Sequence, residues 1–219
     1  MSSPKAKVLI VDDHAVVREG LRSLINSEND FVVAAEAQRG PDALELISKM
    51  KFDIAVIDVG LEGMNGIELM KNIRARSPKL PVLVLSMYDE DVFAERALRA
   101  GAKGYLTKKE PPEKLIECLR KILGGKICVS AAVEEKIFDR IVANKMGSGS
   151  PVESLSDREL EVFQLIGQGF KAGQIAEKLN LSIKTVETYR EQVKVKLNLE
   201  HASDLARYAI RWAKTENIL

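Results

Sequence analysis

An alternation constrains this chain more than any other feature. Five short runs rich in Val, Ile and Leu lie at Val8–Val11, Phe31–Ala35, Ile54–Ile57, Val82–Leu85 and Gly104–Leu106. Between them stand longer segments whose apolar residues recur every three or four positions, as Val16, Val17, Leu21, Leu24 and Ile25 do, and later Ala43, Leu44 and Ile47. Strands joined by helical crossovers lie parallel, and runs that are apolar almost throughout need cover on both faces. The expectation is an α/β domain built on a five-stranded parallel sheet with helices on both sides. After the fifth run, Leu115, Ile116, Leu119 and Ile122 form another stripe, which Gly124-Gly125 should end. Val133, Ile137 and Ile141 predict one further helix over about 131–143.

The pattern then changes. Residues 144–154 lack apolar periodicity and gather Gly, Ser and Pro, as a flexible connector does, and beyond Pro151 only helical spacings remain. Four helices are expected, near 156–167, 171–179, 183–197 and 201–213. The predicted division is a first domain over 5–125, a linker helix and flexible linker over 126–154, and a small all-α domain over 155–215. Two such domains suit 219 residues. With 46% hydrophobic and 30% charged residues, disorder is excluded. A formal net charge of +1 means that any nucleic-acid surface has to be local. Cys118 and Cys128 stand in no CxxC or Cys/His cluster, so neither a disulfide framework nor a zinc site is expected, and a reduced, cytoplasmic setting is. The opening apolar run ends at two aspartates, too short for a signal peptide or a membrane span, so no membrane partner is expected.

Polar residues interrupt the carboxyl ends of the apolar runs, where open parallel sheets place their functional crevice. Asp12 and Asp13 follow the first run, Asp58 the third, Ser86 the fourth, and Thr107-Lys108 the fifth. In the common five-stranded order, strands one, three, four and five are neighbours, so these side chains converge. Singly, each has an ordinary reading as a helix N-cap or a surface charge. Jointly, three carboxylates repel unless a cation joins them, and oxygen ligands without His or Cys favour Mg²⁺. A carboxylate nucleophile, a hard cation, a hydroxyl and an ammonium are the parts needed for phosphoryl transfer.

In the tail, Ser156 stands three residues before Glu159, the spacing of a capping box. Two helical patterns then flank a tight turn at Asn180-Leu181-Ser182, a helix-turn-helix arrangement. On the second, Val186, Tyr189, Val193 and Leu197 form the inward stripe, leaving Lys184, Glu187, Thr188, Glu191 and Lys194 outward. Charge alone leaves a solvated helix and a DNA-contacting helix equally open.

Val11-Asp12-Asp13-His14, Asp58, Asn65-Gly66, Ser86 and Gly104-Tyr105-Leu106-Thr107-Lys108 resemble the flavodoxin-like receiver domain of two-component response regulators. The tail resembles the LuxR-type helix-turn-helix, and the two together resemble the NarL/FixJ family. The resemblance implies a non-enzymatic transcription factor whose Asp58 accepts a phosphoryl group from a sensor histidine kinase. It implies Mg²⁺ on Asp12, Asp13, Asp58 and the Gly60 carbonyl, and phosphoryl sensing by Ser86, Tyr105 and Lys108. Tyr105 has a second reading, as a half-buried strand aromatic. In double-stranded DNA it gives base-edge roles to Glu187, Thr188 and Glu191 and phosphate roles to Lys184, Thr185, Arg190 and Lys194. Leu205, Ala206, Ala209 and Ile210 are either core or the seam of a homodimer on inverted half-sites.

Three departures stand out. Leu61-Glu62 replaces the family's Met-Pro, which predicts a more mobile and acidic loop. Lys109 stands where many receivers have proline, so no cis peptide is expected there. Lys171-Ala172-Gly173 replaces Ser-Asn-Lys and loses a helix cap. Two competing functions fit parts of the same pattern, an unphosphorylated docking module on a DNA-binding tail and a Mg²⁺-dependent phosphohydrolase. The complete Asp12, Asp13, Asp58, Ser86, Lys108 set argues against the first. Gly60, standing where a second acid is wanted, argues against the second.

Overall fold

Strand and helix alternate in the computed structural model as the periodicities require; it describes residues 4–87, 90–142 and 151–215. In chain order come β1 (Ala6–Val11), α1 (Ala15–Asn26), β2 (Phe31–Ala37), α2 (Gly40–Lys49), β3 (Ile54–Asp58), α3 (Gly66–Arg76), β4 (Val82–Ser86), α4 (Glu90–Ala100), β5 (Gly104–Thr107), α5 (Pro112–Leu123) and α6 (Ala131–Val142). A short 3-10 turn at Pro151–Ser154 precedes α7 (Asp157–Gly167), α8 (Ala172–Lys178), α9 (Ile183–Lys196) and α10 (Ala202–Thr215). The chain forms two compact units, 1–137 and 138–219, divided within α6. Among the described residues, no helix is long and apolar enough to cross a membrane.

In the first unit the strands pair in parallel in the order β2-β1-β3-β4-β5, the flavodoxin-like order. Every residue of β3 and β4 is buried, whereas β2, at the edge, is mostly half-buried. That contrast explains why the central runs are unbroken Val, Ile, Leu and Ala while β2 tolerates Glu36.

Several expectations need correction. Val16 is 86% exposed rather than buried. It lies nine residues before the buried Ile25, which at about 100° per residue is the opposite side of α1. Leu61 is fully buried, so the loop after Asp58 is anchored where Met-Pro is missing, with Glu62 exposed beside it. Pro151–Ser154 is a 3-10 turn rather than flexible chain, and Val152 within it and Leu155 directly after it are buried. The rest of the predicted connector, 144–150, lies outside the described residues.

The cysteines depart most from expectation. Cys118 on α5 is disulfide-bonded to Cys128, Cα to Cα 5.4 Å. Gly125, at φ +79°, reverses the chain after α5, and residues around Cys128 return along the β5 edge. There the Cys128 N–H donates to the Lys103 carbonyl and the Tyr105 N–H to the Cys128 carbonyl, each at 2.9 Å. A separation of 10 residues carries no sign of this meeting.

The second unit is organised by α7, which is buried along nearly its whole length. Its capping box forms as the spacing predicts. The Glu159 N–H donates to Ser156 Oγ at 3.4 Å and the Ser156 N–H to Glu159 Oε2 at 2.6 Å. Gly167 lets α7 approach α10, since a Cβ there would stand 2.7 Å from the Ala209 carbonyl oxygen. Phe163 packs against Tyr208 and Trp212, with ring centroids 5.9 and 5.1 Å away. Between α8 and α9, Asn180 takes φ +52° and the Leu181 N–H returns to the Ala176 carbonyl at 2.8 Å. Ser182 then caps α9, accepting from the Thr185 N–H at 3.0 Å.

Candidate functional site

Sheet register builds the first site. Val11 pairs with Ile57, Asp58 with Leu85, and Ser86 with Thr107. The residues at or just past those ends, Asp12, Asp58, Ser86 and Lys108, therefore share one crevice. Lys108 Nζ donates to Asp12 Oδ2 at 2.6 Å and to Asp58 Oδ2 at 2.8 Å. Its own N–H donates to the Ser86 carbonyl at 2.7 Å, which fixes the root of the side chain. Asp12 and Asp58 are 1% and 5% exposed, so the three charges meet in a nearly dry pocket.

Burial pushes the Asp58 carboxyl above its ordinary value; Lys108 pulls it back, and the nearby Asp12 charge pushes it up again. Burial also opposes the Lys108 charge, but Asp58 and Asp12 outweigh it and lift the ammonium above its ordinary value. Lys108 thus stays charged and is the group that lets two carboxylates stand so close.

Asp12, Asp13, Asp58 and His14 each offer a ligand atom within 4.8 Å of the others. Asp13 Oδ1 is buried without a hydrogen-bond partner. His14 Nδ1 approaches it at 2.6 Å as an ion-pair contact but lacks hydrogen-bond geometry. An orphaned carboxylate oxygen beside two more carboxylates fits a hard divalent cation. Gly60 belongs to the same place, because a Cβ built on it would stand 3.6 Å from Asp58 Oδ2. Tyr105 is fully buried, not half-buried, on the strand that leads to Lys108. Ser86 is fully buried at the end of β4.

Sequence reasoning missed Arg18. Its Nη1 donates to the Asp12 carbonyl at 2.6 Å and so holds the end of β1. The signal was present, because Arg18 lies seven residues before Ile25, on the same face of α1.

The second site is α9. Lys184, Glu187, Thr188 and Glu191 are exposed, while Val186 and Val193 are fully buried. Thr185, Arg190 and Lys194 are half-buried, so the outward placing of Lys194 is corrected. Lys194 lies over Glu191 at 2.9 Å, and Arg190 over Glu187 at 2.9 Å. Each glutamate thus carries a cation three residues on, which offsets its repulsion of phosphates. Before α8, Lys171 gives no side-chain cap, but its N–H donates to Gln174 Oε1 at 3.0 Å, half of the lost box. On α10, Leu205 and Ala209 are fully buried in the unit's own core. Of the four candidate seam residues, Ile210 is exposed and Ala206 half-buried.

Known proteins share this arrangement. Residues 8–120 match the family model "Response regulator receiver domain", and residues 153–209 match "Bacterial regulatory proteins, luxR family". The oxygen regulatory protein NreC of Staphylococcus aureus (strain MRSA252) is 34% identical over 210 residues, covering 94% of this chain and 97% of that protein. Among solved structures, a LuxR-family two-component response regulator from Aurantimonas sp. SI85-9A1 aligns with TM-score 0.59 and 35% identity, covering 64% of this chain and 99% of that one. RcsB from Salmonella enterica serovar Typhimurium, bound to promoter rprA in the presence of the phosphomimetic BeF3-, aligns with TM-score 0.61 and 26% identity over 94% of this chain and 98% of that one.

Proposed function

The chain belongs to the NarL/FixJ-type DNA-binding response regulators, and on that premise we propose that phosphorylation of Asp58 by a sensor histidine kinase controls its dimerisation and its grip on DNA. The observation that carries the reading is Lys108 Nζ bridging Asp12 and Asp58 in a buried crevice, in a chain that also carries an exposed helix-turn-helix face.

Asp58 is the nucleophile. A carboxylate oxygen bonds to phosphorus as the P–N bond of the donor phosphohistidine breaks, and the bonding pair leaves with the imidazole, which takes a proton. Lys108 holds positive charge beside the oxygens where negative charge gathers. Asp12, Asp13, Asp58 and the Gly60 carbonyl would hold Mg²⁺, which would supply Lewis acidity to offset the phosphoryl charge. Ser86, at the end of the strand beside β5, donates to the phosphoryl group, and Tyr105 relays the change along β5. The same carboxylate takes phosphoryl groups from small donors such as acetyl phosphate, and hydrolysis of the acyl phosphate resets it.

In the tail, Glu187, Thr188 and Glu191 meet base edges, and Lys184, Thr185, Arg190 and Lys194 meet phosphates. Support comes from the exposure of the first set and from RcsB, whose solved structure is bound to a promoter. Ala206 and Ile210 are the accessible part of the dimer seam. The functional division is 5–125 for the receiver, 126–154 for the linker and 155–215 for the DNA reader.

Intact mass after incubation with Mg²⁺ and acetyl phosphate tests the proposal. Wild type gains one phosphoryl group and Asp58→Asn gains none, and the phosphorylated form binds DNA more tightly as a dimer. Equal DNA affinity and dimerisation before and after verified phosphorylation would defeat it.

A further inference from the structure

The Cys118–Cys128 pair is no part of the acidic crevice in its own unit. We propose that it is a reversible thiol–disulfide site, exchanging with low-molecular-weight disulfides of the glutathione class, whose oxidised form clamps the segment around Cys128 to the edge of β5. The proposal goes beyond the phosphorylation reading and stands without it.

Three observations carry it. First, the two Cα atoms are 5.4 Å apart, so the bond closes without rearrangement of α5. Second, the segment it secures is otherwise weakly held. Cys128 forms a single bridge opposite Gly104, through the two backbone hydrogen bonds that link it to Lys103 and Tyr105. Gly124, Gly125 and Lys126 before it are exposed, and Ile127 is 52% exposed. A segment with four exposed residues in a row before its one bridge to the sheet opens locally at low cost. Both cysteines are buried, at 1% and 3% exposure, so that opening is also the route by which a thiol or disulfide reaches them. Third, β5 is shaped to receive the segment. A Cβ on Gly104 would stand 2.7 Å from the Cys128 carbonyl oxygen. The clamp therefore bears directly on the strand that carries Tyr105 and leads to Lys108.

The chemistry balances. The Cys128 thiolate attacks one sulfur of the small disulfide, forming a mixed disulfide and expelling one small thiolate. The Cys118 thiolate then attacks the Cys128 sulfur and expels the second. Two protein thiols lose two electrons and two protons, and one small disulfide becomes two thiols. A DNA-binding chain works beside a reducing thiol pool, where a disulfide is characteristically transient and regulatory rather than structural.

The test equilibrates the full chain in buffers spanning reduced to oxidised glutathione, quenches with acid, alkylates free thiols and reads intact mass. One transition is expected, from two alkylated thiols to none, reached from both directions. Amide hydrogen exchange at Tyr105 and Cys128 should slow about tenfold in the oxidised form. Cys118→Ala should give only a glutathione adduct at Cys128 and fast exchange throughout. The proposal is overturned by two alkylatable thiols at every ratio, by a bond that reduces only in denaturant, or by equal exchange in both states. The wild-type titration decides the matter even where the variant fails to fold.

Discussion

Replacing Gly66 with alanine tests the link between local packing and the acceptor. Gly66 opens α3 directly after Asn65, whose side chain accepts from the Glu68 N–H at 2.9 Å. A Cβ at Gly66 would stand 2.0 Å from the Asp58 carbonyl oxygen and 2.8 Å from Asp58 C and Val59 Cα. Ordinary contact begins at 3.4 Å, so backbone has to move by about 1.4 Å, and the backbone in question carries the acceptor. Overpacking of this kind costs about 1–3 kcal/mol, and with backbone rather than a pliable side chain in the way the upper end applies. The gain in helix propensity returns about 1 kcal/mol at most, leaving a net loss of roughly 2 kcal/mol. A 1 Å misplacement of a reacting group is worth about a hundredfold in rate, so phosphorylation by acetyl phosphate should slow by about that factor. Gly20→Ala is the internal control. It lies on α1 with nothing within 4 Å of the added methyl, and should stabilise by about 1 kcal/mol with unchanged phosphorylation. Urea unfolding followed by circular dichroism, with intact-mass kinetics, reads both effects. Should Gly66→Ala raise the midpoint as Gly20→Ala does and react at the wild-type rate, the steric reasoning is wrong.

Glu159 gives a pH-dependent stability. Its carboxyl is held below its ordinary value, because Lys196 and the Ser156 cap outweigh the opposing effect of burial. A depressed folded value means stabilisation that is complete above the unfolded value near 4.5 and lost as the pH falls through the lower folded one. Glu159→Gln should therefore cost about 1–2 kcal/mol at neutral pH and converge with wild type in acid, as chemical unfolding at a series of pH values would read. Arg158 pairs with the fully buried Glu161 at 2.6 Å. Arg158→Met should cost about 3 kcal/mol by breaking that buried ion pair, and adding Glu161→Met should recover part of it in thermal unfolding. A Glu161→Met addition that deepens the loss would contradict this. For DNA binding, Lys184→Ala should weaken affinity for all sequences alike and reduce the slope of log K against log salt by about 1 in titrations. Glu187→Gln should instead change base preference at one position, and an unchanged preference would remove Glu187 from the base-reading set.

The local elements were legible because each follows from spacing over a few residues. Unbroken apolar runs could only be covered parallel strands, and once the strand order is the common one, Asp12, Asp58, Ser86 and Lys108 fall together. Ser156 and Glu159 cap α7 through atoms three positions apart, which a sequence displays directly. What tertiary structure decided were meetings between elements. Periodicity states which face a helix offers but not what meets it. Val16 thus sits among apolar neighbours in sequence yet faces solvent, whereas Arg158 and Glu161 are charged yet buried on a helix enclosed on all sides. Leu205 and Ala209 are buried in the unit's own core because α7 occupies that face. Lys108 reaches carboxylates 50 and 96 positions away, a choice made by sheet register rather than by any local preference. The Cys118–Cys128 bond depends on a glycine reversal that returns the chain to β5, and nothing in a separation of 10 residues records the geometry of that return.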